Sequence, residues 1–269
     1  MHQTINNLVR RFLPAPIRGG LRRCLWKLHL ASAPDGSSAH CEVIYTDIST
    51  ELLRGWKDPS VAAKQQAAFN PVLDALRQGK PREDFTALAA AVERTQIRDP
   101  LIVEVGCGSG WNSEVLERLL DRPVRYVGMD YAHTMVALGK RTYTSARFVT
   151  GDATALPFHD AACDILLSGT VLMHLLGYRR AIAESRRVSR RWCIFHTVPV
   201  VHARPTSRLK KRAYGSPVVE IVFNEQELQE LFETNQLALR ATFPSIRHAY
   251  LDDLLSEPVQ AQTYLCEIR

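Results

Sequence analysis

Three evenly spaced glycines, Gly106, Gly108 and Gly110, separate an apolar run from a segment with helical spacing of apolar residues. The run 101–105 predicts a buried strand, and residues 111–120 predict an amphipathic helix. A strand, a tight turn and a helix in this order bring backbone N–H groups and a helix N-terminus to one point. Glycine accepts positive φ and lets a ligand approach closely. The pattern predicts a site for an anionic group of a nucleotide-like ligand, although a turn without a ligand would use the same residues.

Two acids follow the next two predicted strands. Asp130 comes directly after the strand 124–129, where an acid is placed to accept hydrogen bonds from a ribose diol. Asp152, within Gly151-Asp152-Ala153, could accept a hydrogen bond from an exocyclic adenine amine while apolar neighbours flank the ring. Taken singly, Asp130 could be a helix N-cap and Asp152 a turn former. Because both acids follow the glycine turn, each at the end of a predicted strand, together they favour a nucleoside site.

A nicotinamide dinucleotide domain is the nearest alternative, because it also uses a strand, a glycine turn, a helix and a downstream acid. Its fingerprint places the third glycine three residues after the second. Here Gly108 and Gly110 are two apart, and position 111 is Trp. The spacing therefore disfavours a dinucleotide.

With these motifs, the chain resembles the class I S-adenosylmethionine-dependent methyltransferases, especially the small-molecule enzymes often called type 11. The resemblance covers about residues 100–198. It implies a Rossmann-like α/β fold with helices on both faces of a mostly parallel seven-stranded sheet, whose last strand is antiparallel. It also implies S-adenosyl-L-methionine (SAM) as the cofactor.

The cofactor-binding residues that the resemblance implies are Glu104, Gly106, Cys107, Gly108, Gly110, Asp130, Tyr131, Asp152, Ala153 and Ser168. The first motif, from Glu104 to Gly110, would hold the methionine half of the cofactor. Asp130 would bind both ribose hydroxyls, with Tyr131 packed on the cofactor. Asp152 and Ala153 would form the adenine-binding turn. Ser168, at the end of the fourth strand, would lie near the sulfonium.

Transfer of a sulfonium methyl is an in-line displacement that depends chiefly on alignment of the reactants. A base is needed only when the acceptor is an alcohol or a protonated amine. His174 and His196 are the candidate bases, since they follow the predicted fourth strand and end the predicted fifth strand. Each could equally be a structural, hydrogen-bonded histidine.

Several subclasses lack their signature residues. The chain has no Asn/Asp-Pro-Pro-Tyr/Phe sequence, which argues against amino methylation of DNA bases, and no Pro-Cys loop for covalent attack on cytosine. The fourth strand ends in Ser168-Gly169-Thr170 rather than in an acid, so a metal is not expected.

The formal charge of +6 belongs to one segment of the 269-residue chain. Residues 1–34 contain six Arg or Lys residues and no acid, so residues 35–269 are balanced. Nucleic acid is therefore not an expected partner. The basic tail could touch an anionic membrane surface or a partner protein, or could be a solvated arm. Scattered cysteines and the lack of a long apolar run predict a cytoplasmic protein without a membrane span.

Composition and breaks divide the chain into three parts. Residues 1–34 form the basic tail, residues 35–98 a helical lid region, and residues 99–269 the SAM-binding domain. Within the lid region, helices are predicted at 59–76 and 84–94.

Within the domain, strands are predicted at 101–105, 124–129, 146–150, 163–168 and 191–198, with helices near 111–120, 132–141 and 178–189. Such alternation predicts a parallel sheet covered by helices. A capping-box-like start at Asn224 predicts a helix. Two further strands are predicted at 236–243 and 263–268.

The insertion 199–223 is too long for a simple connection and is expected to shape the substrate crevice with Trp56, Phe69 and Tyr214. It carries five cations, namely Arg204, Arg208, Lys210, Lys211 and Arg212. These could meet a phosphate or carboxylate on a nucleotide-linked sugar or lipid-linked glycan, or could be solvated.

The sequence thus predicts a SAM-dependent methyltransferase of a small-molecule or glycan-like acceptor, with O-methylation favoured. N- or C-methylation of a natural product, and a catalytically silent SAM-binding protein, remain the alternatives. The oligomeric state is not predicted.

Overall fold

A computed structural model describes residues 38–43, 52 and 54–269, with residues 38–43 described as backbone only. The predicted basic tail, residues 1–34, lies outside the described residues. No helix in the described part is long and apolar enough to cross a membrane.

The described helices are α1 (Pro59–Arg77), α2 (Glu83–Arg94), α3 (Trp111–Leu119), α4 (His133–Thr142), α5 (Tyr178–Val188), α6 (Glu225–Thr234) and α7 (Asp252–Leu255). The strands are β1 (Ser38–Val43), β2 (Leu101–Val105), β3 (Arg125–Asp130), β4 (Arg147–Thr150), β5 (Cys163–Gly169), β6 (Ser189–Val201), β7 (Ser207–Ala213), β8 (Ser216–Asn224), β9 (Leu237–Arg247) and β10 (Gln260–Ile268).

Seven of these strands form the central sheet in the order β4-β3-β2-β5-β6-β10-β9. The first five run parallel to one another, which their helical crossovers require. β10 inserts antiparallel between β6 and β9. The predicted α/β fold, with a mostly parallel seven-stranded sheet and an antiparallel last strand, is confirmed.

The insertion after β6 folds into a β-hairpin. β7 and β8 pair antiparallel, and β8 joins the end of β6 in parallel through Val200 opposite Phe223. β1 pairs with the outer edge of β7, with Ser38 opposite Arg212 and Glu42 opposite Lys210. The hairpin therefore extends the sheet beyond the carboxyl end of β6, where ligands bind in open α/β folds.

Helices cover both faces of the sheet because the parallel strands are apolar on both faces. In β5, Leu166 belongs to the core under α5 and α6, whereas Ile165 and Leu167 belong to the core under α2 and α3. The second core also includes Phe85 of α2 and Trp111 of α3. Consequently α2 is part of the layer that packs on the sheet.

Helix starts follow the local sequence. The Asp58 carboxylate accepts a hydrogen bond from the Ser60 N–H at 2.9 Å, and Pro59 occupies the first helical position of α1. The Asn224 side chain accepts from the Glu227 N–H at 3.1 Å, as the capping pattern predicted for α6.

Substitution of Phe85 tests the packing of α2 on the sheet. The Phe85 side chain is 1 % exposed, so we expect Phe85→Ala to lower the free energy of unfolding by about 3 to 5 kcal/mol through lost burial and an unfilled cavity. Urea denaturation measures the change. Arg94→Ala, on the exposed side of the same helix, should change it by less than about 0.5 kcal/mol. Equal effects of the two substitutions would contradict the assignment.

Candidate functional site

The carboxyl ends of β2 to β6 border one cavity of about 340 Å³. Gly106, Gly108 and Asp130 line it from the ends of β2 and β3, and His174, His196 and Lys211 line it from the part of the chain between β5 and β7. The side chains of Gln65 and Phe69 on α1 complete its wall. The topology thus brings residues from distant parts of the sequence to one edge of the sheet.

The glycine turn is fixed to the neighbouring strand. The N–H groups of Gly106 and Cys107 donate to the Met129 carbonyl at 2.8 and 3.0 Å. Gly106, Gly108 and Gly110 have φ of +70°, +55° and +87°. A Cβ at Gly106 would lie 2.3 Å from the Cβ of Val171. Backbone conformation and close packing therefore both require glycine here.

Asp130 links this turn to the end of β3. Its carboxylate accepts hydrogen bonds from the N–H groups of Gly108 and Ala132, both at 2.9 Å. Burial raises the pKa of Asp130 to about 6, although these N–H groups oppose the shift. The carboxylate borders the cavity and retains lone pairs for further donors.

Tyr131 and the turn after β4 line the same side of the cavity. Burial raises the pKa of Tyr131, and the Lys57 ammonium lies 4.9 Å from the centre of its ring. Asp152 and Ala153 also line the cavity. Asp152 accepts from the N–H and hydroxyl of Thr154, both at 2.8 Å, so it forms a local turn as well.

Four residues implied by the resemblance lie behind the wall of the cavity. The Glu104 carboxylate accepts from the Tyr126 hydroxyl and, at 2.7 Å, from the Asn112 amide. Burial raises the pKa of Glu104 to about 7. Cys107 is buried, with its thiol 3.4 Å from the Gly108 carbonyl oxygen. Gly110 caps the N-terminus of α3, and Ser168 is buried between Val105 and Phe195 in the sheet.

His174 lies in a short 3-10 turn after β5. Its Nδ1 is 2.6 Å from the Val219 carbonyl oxygen of β8. A carbonyl only accepts, so Nδ1 carries the proton and Nε2 carries the lone pair. Burial and the charge of Lys211 lower the pKa of His174 to about 4. The imidazole is therefore neutral at pH 7, with its acceptor nitrogen identified.

His196 is 2 % exposed and lies in the middle of β6. Its Nδ1 lies 2.9 Å from the Thr263 hydroxyl oxygen, which can donate or accept. Burial lowers the pKa of His196 to about 4. This histidine is also neutral at pH 7, but its partner leaves either tautomer possible.

Two ion pairs border the cavity, a buried one and a partly buried one. Lys211 Nζ lies 2.6 Å from Glu220, and Arg82 forms two hydrogen bonds of 2.6 Å with Asp84. Burial alone would raise the pKa of Glu220, but the positive charge of Lys211 and the contact with His248 hold it well below its usual range. Each cation therefore has a carboxylate beside it.

The five cations of the insertion separate by strand alternation. Lys211 faces inward, whereas Arg204, Arg208, Lys210 and Arg212 are exposed. Of the five cations, Lys211 alone lines the cavity. The structure therefore does not support the prediction that the whole cluster meets an anionic acceptor.

Several buried polar atoms of cavity-lining residues have no hydrogen-bond partner. They are Trp56 Nε1, Gln65 Oε1, Asn112 Oδ1 and Thr197 Oγ1. An unpaired buried polar atom costs about 1 to 3 kcal/mol, so these atoms at the cavity wall are available to pair with a ligand.

The backbone is strained at the same wall. Thr170 directly follows β5, and Thr197 lies within β6. Both residues have φ of +55°. β-Branched residues rarely adopt this conformation, and such strain is concentrated at functional sites. The Thr170 N–H donates to the His196 carbonyl at 3.2 Å, which joins the two strained turns.

Three residues at the cavity were not predicted from the sequence, namely Gln65, Asn112 and Thr197. Gln65 interrupts the buried stripe of α1, a signal that was available in the sequence. Asn112 lies two residues after the last glycine of the turn, at the start of α3. Nothing in the sequence indicated the unusual backbone of Thr197.

Comparison with known proteins relates part of the chain to a family. Residues 103–195 match a family described as "Methyltransferase domain". A probable S-adenosylmethionine-dependent methyltransferase of Mycolicibacterium smegmatis is 27 % identical over 153 residues, which are 57 % of this chain and 58 % of that protein.

A phthiotriol/phenolphthiotriol dimycocerosates methyltransferase of Mycobacterium tuberculosis is 33 % identical over 110 residues, 40 % of this chain and 39 % of that protein. The match thus spans about half the length of these relatives or less.

Among solved structures, the magnesium protoporphyrin IX methyltransferase of Synechocystis has a TM-score of 0.56 at 14 % identity, covering 84 % of this chain and all of that one. At this identity the likeness concerns the fold. The strand order and this likeness give the chain the fold of these methyltransferases, and its residues 103–195 match the methyltransferase domain family.

Proposed function

We propose that the protein transfers a methyl group from SAM to a hydroxyl group of a small-molecule acceptor. The observation that carries the proposal is the single cavity that joins the glycine turn and Asp130 to the two neutral histidines, His174 and His196. One cavity borders both the residues proposed for the methyl donor and the candidate bases, and catalysis of methyl transfer depends mainly on alignment of donor and acceptor.

The residues on the glycine side fit SAM. Asp130 would accept hydrogen bonds from the ribose hydroxyls, and Asp152 with Ala153 would border the adenine. The unpartnered oxygens of Gln65 and Asn112 supply acceptors where the methionine end would lie. When bound, SAM supplies a methyl group activated by a sulfonium.

The residues on the opposite side favour an acceptor without net charge. The buried cation Lys211 and the partly buried cation Arg82 are each paired with a carboxylate, and both histidines are neutral at pH 7. A phosphate or a carboxylate on the acceptor would meet no unbalanced positive charge there. Trp56, Met173 and Tyr214 add apolar and aromatic surface. These features support a hydroxylated aromatic or lipid-like molecule.

His174 is the better candidate base. Its Nδ1 donates to Val219, so Nε2 can accept a proton from an acceptor hydroxyl. The Val219 carbonyl would hold the resulting imidazolium, and nearby Glu220 would favour its charge. The ammonium of Lys211 opposes that charge but favours ionisation of a hydroxyl beside it. His196 lacks a partner that determines its tautomer.

The proposal extends to the organisation of the chain. The helical region 35–98 contributes Gln65 and Phe69 to the cavity, which supports its role as a wall over the substrates. Four buried free thiols, those of Cys107, Cys163, Cys193 and Cys266, support a reducing compartment such as the cytoplasm.

Two alternatives differ from this proposal in what they require. N- or C-methylation would need no hydroxyl proton acceptor, and a binding protein would show no turnover.

Substitution of Asp130 tests SAM binding. Loss of hydrogen bonds to a charged acceptor should raise the dissociation constant of SAM about 10- to 100-fold in Asp130→Ala. Isothermal titration calorimetry measures it. Asp121→Ala, at an exposed loop carboxylate, is the control and should bind like wild type. Failure of the wild-type protein to bind SAM, or undiminished binding by Asp130→Ala, would refute the cofactor assignment.

The affinity for SAM should depend on pH through Asp130. Ribose hydroxyls donate to the ionised carboxylate, so binding favours that form. Because the pKa of Asp130 is about 6, the affinity should fall as the pH drops through 6. Calorimetry between pH 5 and pH 8 measures this change. Asp130→Asn, which does not titrate, should show a weaker affinity without that dependence, and an identical profile would contradict this explanation.

Substitution of His174 tests the base. Mass analysis with panels of phenols, alcohols, amines and carboxylates first identifies an acceptor. With a hydroxyl acceptor, His174→Ala should lower kcat about 10²- to 10⁴-fold while the affinity for SAM is retained. His196→Ala is the matched comparison and should lower kcat less. Unchanged turnover in His174→Ala would exclude His174 as the base, and methylation of amines or carbons alone would exclude O-methylation.

A further inference from the structure

The first-motif acid, Glu104, is sealed from the cavity. One oxygen accepts from the Tyr126 hydroxyl and the other accepts from Asn112 Nδ2 at 2.7 Å. The residue is 1 % exposed. Gly169 packs so closely against it that a Cβ there would lie 1.7 Å from Glu104 Oε1. A direct contact between Glu104 and a bound ligand would require this arrangement to be broken.

The contact with Glu104 determines which way the Asn112 amide points. A carboxylate accepts hydrogen bonds, so Asn112 must turn its NH₂ group toward Glu104. Its Oδ1 then points away from Glu104 and has no partner. Asn112 is 4 % exposed and lines the cavity. Glu104 thereby leaves a buried amide oxygen available at the cavity wall.

Gln65 of α1 presents a second unpartnered amide oxygen beside the glycine turn. The residue is 9 % exposed and lines the cavity, and its Oε1 has no hydrogen-bond partner. A Cβ built on Gly108 would lie 3.2 Å from this oxygen. α1 and α3 therefore place two buried acceptors next to the turn that the cofactor's methionine end would approach.

The chemistry of these atoms defines the group that would pair with them. Two amide oxygens need donors, and the buried carboxylates Glu104 and Asp130 nearby favour a positive charge. A primary ammonium has three donors and a positive charge. The α-ammonium of SAM has both properties, whereas the adenosine part has no such group.

We propose that Asn112 and Gln65 bind the α-ammonium group of SAM through their amide oxygens, and that Glu104 is a positioning residue that orients Asn112. The proposal rests on the proposed use of SAM. It replaces the expected direct role of Glu104 at the methionine half with an indirect one, and it assigns binding roles to two residues outside the expected motif.

Calorimetry with two ligands tests the assignment. S-adenosylhomocysteine carries the ammonium, whereas 5′-methylthioadenosine keeps the adenosine and lacks the amino-acid part. Asn112→Leu and Gln65→Leu should each weaken S-adenosylhomocysteine about 10- to 100-fold and change the affinity for methylthioadenosine less than about twofold. Gln78→Leu, at an exposed glutamine, is the matched control and should affect neither ligand.

Binding of methylthioadenosine also shows that each variant is folded. Undiminished binding of S-adenosylhomocysteine by both leucine variants would overturn the proposal, as would equal weakening of the two ligands. These outcomes leave SAM binding itself intact. Failure of the wild-type protein to bind either ligand would instead refute the proposed function, and this inference with it.

Glu104→Gln tests the positioning role. A glutamine can donate to Asn112 Oδ1, which would let the Asn112 amide reverse and withdraw its oxygen from the ligand. S-adenosylhomocysteine should weaken about tenfold, while methylthioadenosine should be unchanged. Unchanged S-adenosylhomocysteine binding by this variant would overturn the role of Glu104.

A pH series distinguishes a changed orientation of the Asn112 amide from a general disruption of the site by the substitution. The ratio of the two wild-type affinities should fall below about pH 7, where Glu104 becomes protonated, and Glu104→Gln should not show that change. The titratable groups around Glu104 are Tyr126, Cys107 and Asp130. Burial holds the pKa of Tyr126 and of Cys107 well above this range, and Asp130 affects both ligands through the ribose. A pH-independent ratio in the wild-type protein would contradict the mechanism.

Discussion

The attachment of the glycine turn to the end of β3 determines the geometry of the whole site. Two N–H groups of the turn donate to the Met129 carbonyl, and a third donates to the Asp130 carboxylate. β2 and β3 are parallel neighbours, so their carboxyl ends meet at the same edge of the sheet. Because the loop is bonded both to the backbone and to the acid of β3, neither can shift without the other. The position of α3 and the direction of the Asn112 side chain follow from that loop.

The opposite half of the cavity depends on paired charges rather than on backbone hydrogen bonds. Glu220 is fully buried and is contacted by Lys211, Tyr250 and His248. Such a cluster is stable only while each charge keeps its partners, since an uncompensated buried charge costs several kcal/mol. Lys211 and Glu220 of this cluster also act on His174 with opposite sign. Burial, followed by the charge of Lys211, keeps the imidazole neutral at physiological pH, and the Val219 carbonyl determines its tautomer.

Local sequence determined the central strands and most helices. The strand at 101–105 has the predicted bounds, because apolar residues precede a glycine that ends the strand. The strand predicted at 191–198 extends over Ser189–Val201, since β10 and β8 pair with its two ends. Pairing with distant strands is not visible in a local pattern.

The hairpin after β6 escaped prediction because its alternation is masked by cations. In β7, the side chains of Leu209, Lys211 and Ala213 face inward. A lysine is typical of an exposed position, so it hides the alternation of this strand. The Lys211 ammonium is paired with Glu220 on β8 and donates to the Tyr250 hydroxyl, and nothing in the spacing of these residues predicts that they meet. Within the candidate site, chemically distinctive residues such as Asp130 and His174 were identified in advance. Gln65 and Asn112 were missed because what distinguishes them is an amide oxygen without a hydrogen-bond partner. Only the folded structure shows that.

The division of the cavity between two structural units has an evolutionary consequence. Residues from β2, β3 and the turn after β4 form one half, whereas the hairpin supplies Lys211, Tyr214 and the Val219 carbonyl to the other. The hairpin is a continuous segment inserted between β6 and α6, so it can be lengthened, replaced or recharged without disturbing the strand order. Divergence confined to this segment would reshape one part of the cavity while the glycine turn and Asp130 stay the same.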